Sequence, residues 1–259
     1  MITEAHQVIS IQMSHFKTYL AVGTVTFVLF VVLFAPARII WQAFGDEYAA
    51  PLVSLSRIEG TVWRGSAILD GEFLKPGKVA WQIKPLDLMT GQLKTHLNID
   101  GSFHQLTTVV SVASNYLQIS ELSGIIQAGA VNPVIHKYGL QVSGSLDLHD
   151  LAFHIQDNWI EQLSGDLEWS GGAVRYSTYR TTDLYELPPL IGDLALQSSE
   201  VTLQIKEKDK QLPVLAVRLD RNGWGKVVLR GRLFDLAAQP WPIPGAPDDV
   251  VLEVEEKIW

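Results

Sequence analysis

Cysteine is missing from this 259-residue chain. Without a thiol there is no disulfide framework, no thiolate zinc site and no cysteine nucleophile. Charge is scarce as well: Lys, Arg, Asp and Glu make up 19% of the residues, and their formal sum is −8. An acidic chain gains nothing from releasing counterions off phosphates, so nucleic acid is not an expected partner. Three catalytic or nucleotide-binding signatures are also missing: Gly-x-x-x-x-Gly-Lys-Ser/Thr, Gly-x-Ser-x-Gly and His-Glu-x-x-His. What remains is a hydrophobic content of 47%, too high for a disordered or polar tail protein, on a chain long enough for one large or two modest domains.

One apolar run stands out. Residues 18–37, TYLAVGTVTFVLFVVLFAPA, carry no charge. As a helix rising ~1.5 Å per residue the run is ~30 Å long, the thickness of a bilayer's hydrocarbon core. Lys17 and Arg38 bound it and can snorkel to headgroups, and Tyr19 and Trp41 stand at interfacial positions. A buried core helix would show a polar stripe, which Thr24 and Thr26 do not make. Ala35-Pro36-Ala37 has the small-x-small form of a signal cleavage site, yet the run exceeds a usual signal core and its flanking charge is weak. The expectation is an uncleaved single span: a short inner tail at 1–17, a transmembrane helix at 18–40, a linker at 41–57 and an outer domain at 58–259.

Beyond residue 58 the pattern has period two. In 78–84 Val79, Trp81 and Ile83 alternate with Lys78, Gln82 and Lys84. Segments 93–100, 140–149, 163–169, 201–206, 215–220 and 251–256 alternate in the same way. Each reads as a half-buried antiparallel strand. Pro76-Gly77, Gly91, Asp100-Gly101, Gly139, Gly171-Gly172 and Asn222-Gly223 punctuate them at hairpin spacing. The predicted fold class is therefore all-β: one helix, then a curved, meandering, mainly antiparallel sheet, like a groove or half-barrel. Segments 186–193 and 238–249 read as a loop and a proline-rich tail, 44–54 as linker, and 206–210 as a solvated hairpin tip. Helical turns are expected near 104–115 and 156–163.

Two stretches repeat a pattern, IEGTVWRGSA at 58–67 and LSGDLEWSGGAV at 163–174. Both set a glycine before a tryptophan and another two residues after it. In the second, Leu163, Leu167 and Trp169 share a face with Gly165, Gly171 and Ala173; in the first, the phase slips between Val62 and Trp63, which suggests a bulge. A tryptophan beside glycines is a wide apolar plate at a strand corner, so an architectural role is expected. A binding groove lined by the tryptophans is the alternative. For chemistry, Asp147, His149, Asp150 and His154 come nearest to a metal set, and a solvated polar face explains them equally. Ser111, Ser114 and Ser143 have no neighbouring base in sequence. No catalytic, cofactor-binding or metal residue is assigned.

The order of an apolar span, IEGTVWRGSA, GKVAWQIKPLDLMTGQL, YGLQVSGSLDLHDLAF and LSGDLEWSGGAVRY resembles the type II secretion system protein N family. The matching positions are Gly60, Trp63 and Gly65; Trp81, Pro85, Leu88 and Gly91; Gly139, Gly144, Leu146 and Leu148; and Gly165, Trp169, Gly171 and Gly172. The resemblance covers essentially the whole chain, most clearly 58–176, and more loosely DRNGWGKVVLRGRL near the end. It implies a non-catalytic, single-pass protein of a Gram-negative inner membrane with its β-rich domain in the periplasm. Such a protein would be a structural or adaptor subunit touching other components of the same secretion apparatus, without a cofactor. A membrane-tethered β-groove protein that binds or transfers lipid is the alternative function, and an envelope hydrolase a third.

Overall fold

The computed structural model describes residues 2–48, 53–71, 76–113, 115–156, 159–177, 179, 181–210, 212–239 and 245–258. Ser114 and residues 240–244 of the proline-rich segment lie outside the described residues. Two helices open the chain, α1 (Ile2–Leu33) and α2 (Ala37–Tyr48). The single helix expected over 18–40 is thus broken before Pro36, because proline disfavours helical backbone at Ala35 and offers no N–H of its own. Pro36 instead forms an isolated bridge with Thr61. The described side chains of α1, Phe16 and residues 18–33, are all exposed. Among the described residues no helix is long and apolar enough to cross a membrane.

Among the described residues sixteen strands follow: β1 (Val53–Gly60), β2 (Arg64–Gly71), β3 (Gly77–Ile83), β4 (Leu93–Gly101), β5 (His104–Val112), β6 (Tyr116–Gln127), β7 (Leu140–Val142), β8 (Ser145–Gln156), β9 (Trp159–Trp169), β10 (Gly172–Ser177), β11 (Thr182–Leu187), β12 (Leu190–Gln197), β13 (Glu200–Glu207), β14 (Pro213–Leu219), β15 (Trp224–Arg230) and β16 (Val250–Lys257). Helix α3 (Ala128–Ile135) follows β6, and α4 (Arg232–Leu236) follows β15. Thirteen strands form one antiparallel sheet in the order β1-β2-β3-β4-β5-β6-β8-β9-β12-β13-β14-β15-β16. Its first and last strands do not meet, so the sheet is open. A small second sheet, β11-β10-β7, branches from it.

The mainly antiparallel meander agrees with the alternating pattern, with local corrections. Segment 140–149 is two strands rather than one, divided at Ser143-Gly144, where Gly144 adopts φ +86. The turns expected near 104–115 and 156–163 are strands β5 and β9, since their β-branched and aromatic residues pair with neighbours on both sides. The loop expected over 186–193 shrinks to Pro188-Pro189 between β11 and β12. The stretch read as linker holds the end of α2 and the start of β1. Val62 and Trp63 form a hairpin turn, not a bulge; the bulge lies one strand earlier, between Ser56 and Glu59.

Register puts one face of the large sheet in apolar hands. Ala67 stands opposite Val79, Val79 opposite Ile99, and Ile99 opposite Leu106. The row passes through Gly124 to Leu148 and Leu167. It then crosses Gly192 to Ile205, Leu215, Leu229 and Leu252. On the reverse face Asp147 stands opposite Glu168, His149 opposite Asp166, and Asp193 opposite Gln204. Bulges at Arg57, Glu121 and Asp150, each with positive φ, bend their strands away from a flat sheet. With only one layer behind the apolar face, burial is shallow. Val214 is alone among the described residues in having a side chain under 2% exposed.

Candidate functional site

The repeated tryptophans sit at joints. Trp63 lies in the β1–β2 hairpin turn, and its indole N–H donates to the carbonyl of Val32 at 2.8 Å. The neighbouring Val62 N–H donates to Ala35 O at 3.0 Å, so the hairpin tip is fastened to the end of α1 at two points. Val32 O, in the last turn of the helix, also takes the Ala35 N–H at 3.4 Å, and Ala35 lies just past the helix end. Trp81, on β3, donates its indole N–H to Val62 O at 3.1 Å. Gly65 makes room for it: a Cβ there would stand 2.4 Å from both the Trp81 ring and Glu59 O. Gly60 provides the left-handed turn, at φ +89, that brings Arg64 O within 2.5 Å of where its own Cβ would be.

The second copy repeats this joinery. Trp169, the last residue of β9, donates its indole N–H to Ser143 O at 2.9 Å. Ser143 Oγ accepts from the Ala173 N–H at 2.7 Å, and Ser170 Oγ accepts from the Ser145 N–H at 2.9 Å. The β7–β8 and β9–β10 junctions, where the small sheet leaves the large one, are thereby stitched together. Gly171 (φ +79) and Gly172 (φ +131) adopt backbone conformations that L side chains rarely take, and a Cβ would stand 2.8 Å from Leu187 O and 2.5 Å from Ser143 Oγ respectively. Gly165 runs against Leu151 Cα, where a Cβ would stand at 2.6 Å. Pro85 and Gly91 bracket the β3–β4 connection: Pro85 starts a tight helical turn, Pro85–Thr90, and Gly91 ends it at φ +76.

Two cavities border these residues. One of about 420 Å³ lies beside Trp81, with Arg64, Gln82, His96, Asn98 and Glu121 on its walls. No hydrogen bond or ion pair joins Arg64, His96 and Glu121 to one another among the described residues; Arg64 donates to Gln82 Oε1 at 3.4 Å. The other, about 210 Å³, is walled almost wholly by apolar atoms of Ile126, Val131, Leu146, Trp169 and Val174. Trp81 borders the first cavity and Trp169 the second.

The polar residues singled out by sequence are dispersed. Asp147 and His149 lie on the polar face of β8. Asp150 is turned into a bulge at φ +47, and its backbone N–H donates to Ser123 Oγ at 3.0 Å. The ring of His154 packs 5.0 Å from that of Tyr116. Among the described residues no group of three or more His, Asp or Glu could hold a metal ion. Sequence reasoning passed over Asn132 on α3. Its amide donates to Val142 O at 2.9 Å and accepts from the Val142 N–H at 2.8 Å, as a neighbouring strand would.

An open hairpin meander, fastened at its joints by indole N–H groups, defines an all-β protein whose singled-out residues hold backbone to backbone. Residues 51–241 match the model of the family described as type II secretion system (T2SS), protein N, and the chain belongs to that family. It is therefore of the type II secretion components, a family not known for catalysis. The match stops short of the N-terminal helix and of β16, although the sequence resemblance extended to both ends. No curated protein and no solved structure matches the chain.

Proposed function

We propose that this protein is a structural or adaptor subunit of the type II secretion apparatus. It is anchored in the inner membrane by the uncharged run at 18–37 and displays its sheet in the periplasm. The carrying observation is the Trp63–Val32 hydrogen bond, which joins the first hairpin of the sheet directly to the apolar helix. A flexible tether would need no such joint; a subunit that holds its sheet at a set height above the bilayer would. Support for the anchor comes from side chains such as Leu20, Phe27 and Phe30, which are 60%, 67% and 59% exposed. The tail at 1–17 stays in the cytoplasm in this reading, and other secretion components meet the sheet from the periplasmic side.

The missing cysteines make the topology directly testable. Ser54→Cys, on exposed β1, is expected to react with an impermeant maleimide in intact spheroplasts, and labelling only after lysis would reject the periplasmic placement. A clean deletion is expected to abolish export of folded enzymes, with rescue by the full chain. Unchanged export under inducing conditions would end the claim that the subunit is required.

A second reading, binding of lipid or another apolar ligand, is favoured by the apolar cavity beside Trp169 and by the uncovered apolar face. Native mass spectrometry of the protein is the discriminating measurement, and absence of any co-purifying lipid counts against it.

A further inference from the structure

The two long edges of the large sheet are finished differently. At one end α2 packs against β1, which is bulged at Arg57. At the other end, among the described residues, β16 pairs only with β15, and every residue of it except Val251 is exposed. Val250, Leu252 and Val254 are 49%, 51% and 45% exposed. A strand of eight residues at an edge leaves half of its amides and carbonyls pointing outward without partners. Natural edges refuse further strands by being short or by carrying prolines and lysines. β16 has no proline and only Lys257, at its end. The free edge of the small sheet, β11, is shorter and runs directly into Pro188-Pro189.

The side chains of β16 say which strand would fit. Leu252 and Val254 extend the apolar row through Leu229 and Val227. Glu253 and Glu255 share the opposite face. Lys226 holds Glu253 at 2.6 Å, while Glu255 and Glu256 have no ion-pair partner among the described residues. A second copy of β16 would bring glutamates against glutamates, which repel across a strand pair. A strand of the opposite charge would meet no such penalty.

We propose that β16 is a docking edge for an extended segment of another polypeptide in which apolar and basic side chains alternate. The segment adds itself as a further strand of the sheet. Its apolar side chains prolong the row ending at Leu252, and its lysines or arginines face Glu253 and Glu255. β16 lies beyond residue 241, so the family match assigns it no role. The inference rests on the edge alone and stands whether or not the secretion reading does.

The test uses the purified full chain in detergent and two labelled heptapeptides, one alternating valine with lysine and one alternating valine with glutamate. Fluorescence anisotropy is expected to show the lysine peptide binding at least about tenfold more tightly, with affinity falling as salt is raised. Hydrogen exchange is expected to slow within 250–257 on binding. Glu253→Lys combined with Glu255→Lys, both at exposed positions, is expected to weaken the lysine peptide about tenfold and to strengthen the glutamate peptide. Equal affinity for the two peptides, no binding of either, protection elsewhere in the sheet, or self-association through β16 overturns the proposal. The two-peptide comparison on the unaltered chain decides the matter even if the double variant does not fold. Normal export in a deletion strain, by contrast, bears only on the secretion role.

Discussion

Val32, in the last turn of α1, receives the indole N–H of Trp63 from across 31 residues of chain at 2.8 Å. Val32 O also accepts the Ala35 N–H at 3.4 Å, so the indole takes the second lone pair of a helix-terminal carbonyl and joins helix to sheet. Trp63→Phe keeps most of the apolar plate and deletes the donor. Its expected cost is about 1 kcal/mol, confined to the joint. Hydrogen exchange should accelerate at Val62 and at the end of α1, with β12–β15 unchanged. Uniform acceleration across the sheet would show instead that the joint is part of its folding core.

Gly65 and Gly91 separate crowding from backbone freedom. Gly65→Ala forces a methyl against Glu59 O and the Trp81 ring, both at 2.4 Å from the new Cβ. A loss of about 1–3 kcal/mol in denaturant midpoint measurements is expected, since neither backbone nor indole can yield cheaply. Gly91 has nothing within 4 Å of its missing Cβ but sits at φ +76. Gly91→Asn, which tolerates that region, is expected to be nearly neutral.

His104 is 3% exposed, and neither ring nitrogen has a hydrogen-bond partner among the described residues. Burying polar atoms without partners costs free energy. His104→Leu is therefore expected to hold or raise the unfolding midpoint. A drop of more than about 1 kcal/mol would show that the imidazole has a partner in solution.

Arg232 clasps the carboxylate of Asp248 with Nε and Nη2 at 2.6 and 2.7 Å, just before β16. That hydrogen bond, opposed by partial desolvation and aided by the charges of Arg232 and Arg230, holds the Asp248 carboxyl below its usual range. A depressed folded-state pKa gives stabilisation that is complete above the ordinary carboxylate value, about 3.9, and is lost as pH falls through the lower folded value. Gly231 and Arg232 donate their N–H groups to Asp249 O and Pro247 O. The protection factors of these two amides, measured rates corrected for the intrinsic pH dependence of exchange, are expected to be constant around neutral pH and to fall only below about pH 4. In Asp248→Asn they should be low throughout.

Alternation made the strands legible because each has one wet and one apolar face: Lys78 and Val79 on β3 differ as Glu255 and Val254 do on β16. What alternation does not carry is the place where a pattern changes sheets. Leu140 to Leu148 keeps its phase across Ser143-Gly144, so two strands read as one, and only the tertiary stitch through Trp169 and Ser143 separates them. The glycine–tryptophan–glycine spacing marks the joint positions in the sequence. The hydrogen bonds of the indole N–H groups were not legible, because the acceptors Val32, Val62 and Ser143 are main-chain carbonyls, and a carbonyl leaves no mark on a sequence. Asn132 was invisible for the same reason. The bulge was placed one strand late because the slip at Val62–Trp63 belongs to a turn, where period two no longer applies.

The order of strands in the large sheet almost follows their order along the chain, broken only where β7, β10 and β11 step aside. Nearly every ladder therefore closes between neighbours in sequence, and chains of that kind assemble quickly. With its first hairpin pinned to α1 through Trp63, the sheet can zip up one hairpin after another, each new strand laid on a template already in place.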